Sequence, residues 1–265
     1  DDYVQTLTHA ITTPEPEYEA IGVKVDGEYR QLNANILQIE NEFYSFVRPK
    51  QPINRSERPT LALRKRGVQY AEVRALDVNA YDPLGVSVHT LHFIEALLAA
   101  CLLNDSAPLD SEEQDAINYN QTVTARHGRD PALQLHRDGR EISLRNWANE
   151  ITDQLTGICA ALDGDDPARP YSTSLTIQRE AIADPELTPS ARILTEMRAH
   201  KESFFHFAQR LSKRHREFFM ARSLTPDSAD DLARQARKSL ADQAALEAAD
   251  TLSFDAYLQC YFAQT

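Results

Sequence analysis

Gly67-Val68-Gln69-Tyr70-Ala71-Glu72-Val73-Arg74-Ala75-Leu76-Asp77 is the stretch from which the rest of the chain is best read. Side chains on a strand point alternately to opposite faces. Taken as a strand from Val68 to Val78, one face carries Ala71, Val73 and Ala75, a small apolar row fit to pack on helices. The other carries Tyr70, Glu72, Arg74 and Leu76. The segment Ile36 to Val47 reads alike, with Leu37, Ile39 and Phe43 on one side and Gln38, Glu40, Glu42 and Tyr44 on the other. Asn41 falls on the apolar side and signals a bulge. Two readings follow. In one, an antiparallel sheet has a solvated face and its charges do nothing more. In the other, the polar face lines a cleft in which carboxylates ligate hard cations. Periodicity does not separate them.

Upstream, Tyr3 to Ile11 has helical spacing, and Thr13-Pro14 and Glu15-Pro16 are expected to stop it. Ile21 to Lys24 and Tyr29 to Asn33 are expected strands about an Asp26-Gly27 hairpin turn. A proline-containing loop, Pro49 to Pro59, joins the two longer strands. Beyond Pro83 the pattern turns helical. Ser87 to Leu103 suits a buried helix, and Ser111 with Gln114 resembles a capping box for a helix reaching about His127. A hairpin at Asp138-Gly139 precedes a helix from Ser143 to about Leu162. Thr188-Pro189-Ser190 opens another, and the alanine-rich tail from Pro226 to Phe262 is expected to be helical. The fold class is therefore α+β, with residues 1–85 strand-rich and residues 86–265 a helical region packing on the sheet.

The chain has 265 residues, with 40 acids against 28 bases and a formal charge of -12. That balance argues against nucleic acid as a partner, since phosphate backbones demand a net basic surface. It suits an enzyme that receives anionic substrates through divalent cations. Three scattered cysteines, Cys101, Cys159 and Cys260, make neither a disulfide framework nor a zinc knuckle. The longest apolar run, Leu91 to Leu103, is too short for a membrane span, and a cytoplasmic location is expected. No GxGxxG or GxxxxGK[ST] is present, so neither a dinucleotide fold nor a P-loop is supported.

The run Leu32-Asn33-Ala34-Asn35-Ile36-Leu37-Gln38-Ile39-Glu40-Asn41-Glu42-Phe43-Tyr44, closing with Val47-Arg48-Pro49-Lys50, resembles a segment of the proteobacterial-type glutamate–cysteine ligases. So do Gly67 to Asp77, the helix start Leu187-Thr188-Pro189-Ser190-Ala191-Arg192 and the run Glu247-Ala248-Ala249-Asp250. Asn79-Ala80-Tyr81-Asp82-Pro83 departs slightly from the family's pattern. The resemblance runs over essentially the whole chain but over one half of the family, read here as its C-terminal half. The start Asp1-Asp2-Tyr3, without Met and already in a helical pattern, agrees with a piece of a longer chain.

The resemblance implies a curved antiparallel sheet of the glutamine synthetase-like catalytic fold. It implies ATP-dependent joining of the γ-carboxylate of glutamate to the amine of cysteine through γ-glutamyl phosphate, the first step of glutathione biosynthesis. ATP would be co-substrate and Mg2+, with Mn2+ as an alternative, the cofactor. Carried over residue by residue, Glu72 would ligate magnesium and Arg74 would contact the γ-phosphate. Tyr44 would wall the cysteine pocket, and Gln38 would touch substrate. Glu40, Glu42 and Arg48 are weaker candidates, with Lys50 beside them. The N-terminal half of the same enzyme would be the partner, without which no catalysis is expected. A non-catalytic fragment that binds another polypeptide, or a related γ-glutamyl–amine ligase, are the alternatives.

Four features fall outside this reading. His200, His206 and His215 lie in a basic, aromatic stretch up to Arg222, but at about 100° per residue they cannot converge from one helix. An amphipathic helix with its aromatic stripe in the core is expected there, with Trp147 also in the core. His127 and His136 are expected in a loop and a hairpin. The run Asp163 to Asp166 lacks the spacing of a calcium loop and is expected as a solvated helix end.

Overall fold

A computed structural model describes residues 2–54 and 56–264. It is α+β, with eleven helices among the described residues and three two-stranded antiparallel ladders. Two compact units form, Asp1–Asp77 with Leu224–Thr265, and Val78–Ser223. The expected division into 1–85 and 86–265 thus changes: the C-terminal helices belong with the first unit.

In the first unit, α1 (Asp2–Thr12) runs as expected and buries Leu7 and Ile11. Pro14 ends it, but Pro16 begins α2 (Pro16–Ile21) rather than breaking a helix, because proline at the first helical position gives up only an orphan N–H. The hairpin is shorter than expected, β1 (Lys24–Val25) and β2 (Glu28–Tyr29). Its turn is as expected: Asp26 and Gly27 have φ of 54° and 86°, the left-handed pair a tight hairpin requires.

The expected strand from Ile36 to Val47 does not form. Pro14 and Asn35 make an isolated bridge, a 3-10 turn occupies Glu40–Glu42, and only β3 (Val47–Lys50) is extended in a ladder. Glu42 N donates to Ile39 O at 3.1 Å and Phe43 N to Glu40 O at 3.2 Å, so three residues per turn replace the period of two. Asn41, the residue that broke the alternation, is where this turn sits. Next comes α3 (Pro59–Arg66), which buries Thr60, Leu61, Ala62 and Leu63 and was not foreseen. Gly67, at φ 75°, closes it through its N–H to Leu63 O, 2.8 Å.

The strand predicted over Val68 to Val78 is β4 (Tyr70–Val73), paired antiparallel with β3. Of the expected curved antiparallel sheet, β3 and β4 form a two-stranded ladder among the described residues. The small apolar row is not a packed face as expected, and only Val73 of it is half-buried. Ala71 and Ala75 are exposed, whereas Arg48 on the polar side is 5% exposed. Late in the chain, α10 (Pro226–Ala249) buries no residue. Helix α11 (Phe254–Phe262) sets Phe254 edge-on to Tyr29 at 5.0 Å and buries Leu258.

The second unit is helical around one hairpin. The helix expected over Ser87 to Leu103 forms as α4 (Val88–Leu103), but it buries only Ala96 and Ala100, and Ser87 caps it by accepting from Thr90 N. Asp110, not Ser111, caps α5 (Ser111–His127). Strands β5 (Gln134–Arg137) and β6 (Arg140–Ser143) flank Asp138-Gly139, again at positive φ. Ser143 caps α6 (Leu144–Asp163), whose Leu155 and Cys159 meet Ala96 and Ala100 of α4 and Leu175 of α7 (Pro170–Ala183) to form the core. Trp147 is only half-buried, with the Arg137 guanidinium 5.3 Å from its ring.

Helices α8 (Pro189–His200) and α9 (Phe204–Met220) complete the unit. The aromatic stripe of α9 does not enter the core as a whole: Phe207 is fully buried, while Phe204, Phe205, Phe218 and Phe219 are exposed. His206 bonds Ser203 and His215 bonds the Ala80 carbonyl. They do not converge.

Asp163 is not a solvated helix end. It is 5% exposed and accepts from Tyr171 N (2.8 Å), Ser172 N (3.1 Å) and the Ser172 hydroxyl (2.5 Å), so it holds the start of α7. Burial alone pushes its carboxyl upward, but the Ser172 hydroxyl, the two backbone N–H groups and Arg169 more than offset this and hold it below the ordinary value. A pKa depressed on folding stabilises fully above the unfolded value, about 4, and is lost as pH falls through the folded value. Asp163→Asn is therefore expected to flatten the acid limb of the melting-temperature profile below about pH 5. Parallel profiles for the two proteins would remove Asp163 from this role.

Candidate active site

The register of β3 and β4 gathers the site. Arg48 lies opposite Glu72 and Lys50 opposite Tyr70. Opposed residues share a face and strand neighbours two apart share it too, so one face carries Arg48, Lys50, Tyr70 and Glu72. The ladder extends one bond further, Arg74 N to Phe46 O at 2.7 Å, and brings Arg74 onto that face.

Glu72 stands between two cations. Arg74 approaches it side-on with one edge of the guanidinium, Nε to Oε2 at 3.1 Å and Nη2 to Oε1 at 3.2 Å. Lys50 Nζ lies 3.4 Å from Oε2. The three side chains are 27–34% exposed. Arg74 first, then Lys50, hold the Glu72 carboxyl below its ordinary value against the opposing effect of burial. The Arg74 guanidinium lies 5.3 Å from the centre of the Tyr44 ring, itself 69% exposed, a cation–π contact. The structure places Glu72, Arg74 and Tyr44 together, and with them Lys50, which the sequence named only beside Arg48. The strand register was the absent signal.

The other expected site residues sit elsewhere. Gln38 and Glu42 serve their own loop: Gln38 Oε1 accepts from Leu32 N at 2.5 Å, and Glu42 Oε2 accepts from Gln38 N at 2.6 Å. Glu40 is fully buried and its Oε1 accepts from Arg58 Nε at 3.1 Å and Thr60 Oγ1 at 2.5 Å. Gln38, Glu40 and Glu42 therefore do not share a strand face with Tyr44, because the 3-10 turn rotates Glu40 inward. Arg48, one of the weaker candidates, is buried and reaches the Glu40 carbonyl at 3.4 Å. It borders a cavity of about 220 Å³ that is also lined by Tyr3, Lys50 and Tyr70.

Whether this face could hold magnesium is settled by its donors. Among the described residues, no three or more His, Cys, Asp and Glu side chains are grouped as a metal site would require. Glu72 is one carboxylate, already flanked by two cations. Mg2+ demands a near-octahedral shell of oxygens. The donors present do not fit the cation by themselves. What the arrangement can do is present a fork of N–H donors and a lysine ammonium, prepositioned by a carboxylate, to an anionic group.

The comparisons agree on one family. A family model described as glutamate-cysteine ligase matches residues 1–124. The chain is 43% identical to the glutamate–cysteine ligase of Alcanivorax borkumensis over 267 residues, covering 99% of this chain and 51% of that protein. Against the enzyme of Pseudomonas paraeruginosa it is 43% identical over 259 residues, 98% of this chain and 49% of the other. A crystal structure of glutamate–cysteine ligase from Francisella tularensis, in complex with AMP, superposes with a TM-score of 0.89 at 35% identity. That match covers 98% of this chain and 51% of the solved one. The chain spans about half the length of the curated relatives it matches, and the coverage fixes that length, not its position. The assignment to a C-terminal half is therefore not carried further. No helix among the described residues is long and apolar enough to cross a membrane. Over the half of their length that it spans, the chain is similar to the glutamate–cysteine ligases.

Proposed function

We propose that this chain supplies the phosphate-facing strands of an ATP-dependent ligase that joins the γ-carboxylate of L-glutamate to L-cysteine through γ-glutamyl phosphate. The observation that carries this is the Lys50–Glu72–Arg74 cluster on the partly exposed polar face of the β3–β4 ladder. AMP is bound in the Francisella tularensis relative, which supports an adenine nucleotide as a substrate here.

Amide formation from a carboxylate needs a better leaving group than oxide, and phosphorylation provides one. Phosphoryl transfer asks chiefly for positioning and charge neutralisation. The planar guanidinium of Arg74 suits the equatorial oxygens of the transferred group. Glu72 fixes the direction of that fork, and the Tyr44 ring limits its swing. Lys50 adds a second cation on the same side. Tyr44, largely exposed, leaves a ring face and a hydroxyl free for the cysteine side chain. Mg2+ or Mn2+, which the donors of this face do not fit by themselves, would need ligands supplied from outside this chain.

The test is a chimera in which this chain replaces the stretch it matches in the Alcanivorax borkumensis protein. Release of ADP that depends on both glutamate and cysteine is expected. A folded chimera with no such release would overturn the reading. Release with another amine in place of cysteine would favour a related γ-glutamyl–amine ligase.

A further inference from the structure

Arg48 is 5% exposed and, among the described residues, forms no ion pair. The carboxylate buried with it, Glu40, belongs to another cation: its Oε1 accepts from Arg58 Nε at 3.1 Å and from Thr60 Oγ1 at 2.5 Å. Glu72, opposite Arg48 in the ladder, is shared by Arg74 and Lys50. Arg48 Nη2 reaches the Glu40 carbonyl at 3.4 Å, a long contact, and its Nε is buried with no hydrogen-bond partner among the described residues. A guanidinium stays charged at any working pH, and a buried charge without a partner is strongly destabilising. The chain carries 40 acids against 28 bases, so acidic partners are not scarce. Their absence is particular to Arg48.

Arg48 lines the cavity of about 220 Å³, which lies wholly within the first unit. Leu7, Ile53 and Leu63 supply apolar wall, and Lys50 lines the same space. Glu40 lines it too, but Arg58 already meets that charge, so the balance of the lining is positive. Sites for drug-sized ligands run from about 300 to 1,000 Å³. The Arg48 cavity takes something smaller, an inorganic oxyanion or a molecule of amino-acid size, and has no room for a whole nucleotide. The N–H fork of an arginine matches the oxygens of carboxylate and of phosphate. An anion seated there supplies the counter-charge that the fold itself does not.

We infer that the Arg48 cavity is a binding site for a small oxyanion, a carboxylate or phosphate group held by the buried Arg48 guanidinium, with Lys50 in the same lining. The site is distinct from the Arg74 fork: Arg74 lies further along the ladder, bonded to Phe46, and does not line the cavity. It goes beyond the ligase reading and does not rest on it. Arg48 is kept in place, at a cost in stability, for what it binds.

The purified chain is titrated with inorganic phosphate and, separately, with acetate, each against potassium chloride at equal ionic strength. Isothermal titration calorimetry reads binding, with thermal midpoints beside it. Saturable one-to-one binding of at least one anion is expected, and which of the two binds tells a phosphate site from a carboxylate site. Arg48→Met, uncharged and similar in length, should weaken that binding at least tenfold. Without anion the same variant should melt no lower than the unmodified chain, because it removes a buried charge that nothing offsets. Three results would overturn the inference. One is no binding beyond that of chloride. Another is binding weakened less than tenfold by Arg48→Met, above all if Arg74→Ala abolishes it. The third is an anion-free midpoint for Arg48→Met below that of the unmodified chain, which would mean that Arg48 already has its partner in the fold. Because the readout is binding, an inactive chimera beside intact anion binding would sink the ligase reading and leave this one standing.

Discussion

Arg74→Ala in the chimera is expected to lower kcat by roughly 10²- to 10³-fold, the usual loss when one prepositioned donor to developing charge is removed. The reason lies in how Arg74 is held. Its Nε and Nη2 both meet Glu72, at 3.1 Å and 3.2 Å, so the guanidinium plane is fixed before any substrate arrives. The Tyr44 ring closes one side of that plane. Stability should change little, because the pair is about a third exposed and surface ion pairs contribute roughly 0–1 kcal/mol. Arg74→Lys keeps the charge but loses the fork, and should recover only part of the rate. The measurements are kcat and KM for ATP in unmodified, Ala and Lys chimeras, with thermal midpoints beside them. A kcat for Arg74→Ala within threefold of the unmodified chimera would take Arg74 out of the reaction.

How much of this could be seen in the sequence depended on how local the determining chemistry was. Asp26-Gly27 and Asp138-Gly139 specify their turns by themselves, and both are found at positive φ. Ser87 and Ser143 announce their helices because a cap acts within three residues. Proline was the misleading signal. Pro16, Pro59 and Pro170 each open a helix, and none of those three helices, α2, α3 and α7, was foreseen. Of the site, Glu72 and Arg74 were legible because a period of two needs only neighbouring residues. Lys50 was not, since it reaches Glu72 only through the β3–β4 register. Glu40 was misread for the same kind of reason. Its partners, Arg58 and Thr60, lie 18 and 20 residues away, beyond any window in which alternation is judged.

Glu40 supports the second large prediction. Its carboxylate has no solvent exposure and its Oε1 takes hydrogen bonds from Arg58 Nε and Thr60 Oγ1. Arg58 is itself buried, with its guanidinium 5.6 Å from the centre of the Tyr261 ring and its backbone N–H on Gln264 Oε1 at 3.0 Å. Burial, and next the charge of Glu40, push the Tyr261 hydroxyl up to about 12, so it stays neutral. This node joins the 3-10 turn, the start of α3 and the end of α11. Deleting one member of a buried pair strands the other charge, which costs about 3–5 kcal/mol. Glu40→Ala should therefore lower the unfolding free energy by about that amount, read from denaturant curves followed by circular dichroism. Glu40→Leu/Arg58→Met removes both charges and replaces them with apolar volume, which is often neutral or stabilising, so the pair should regain much of the loss. A Glu40→Ala protein within about 1 kcal/mol of the original, less than the loss of an ordinary buried hydrogen bond, would show that the carboxylate is free for another task. The candidate-ligand reading of Glu40 would then return.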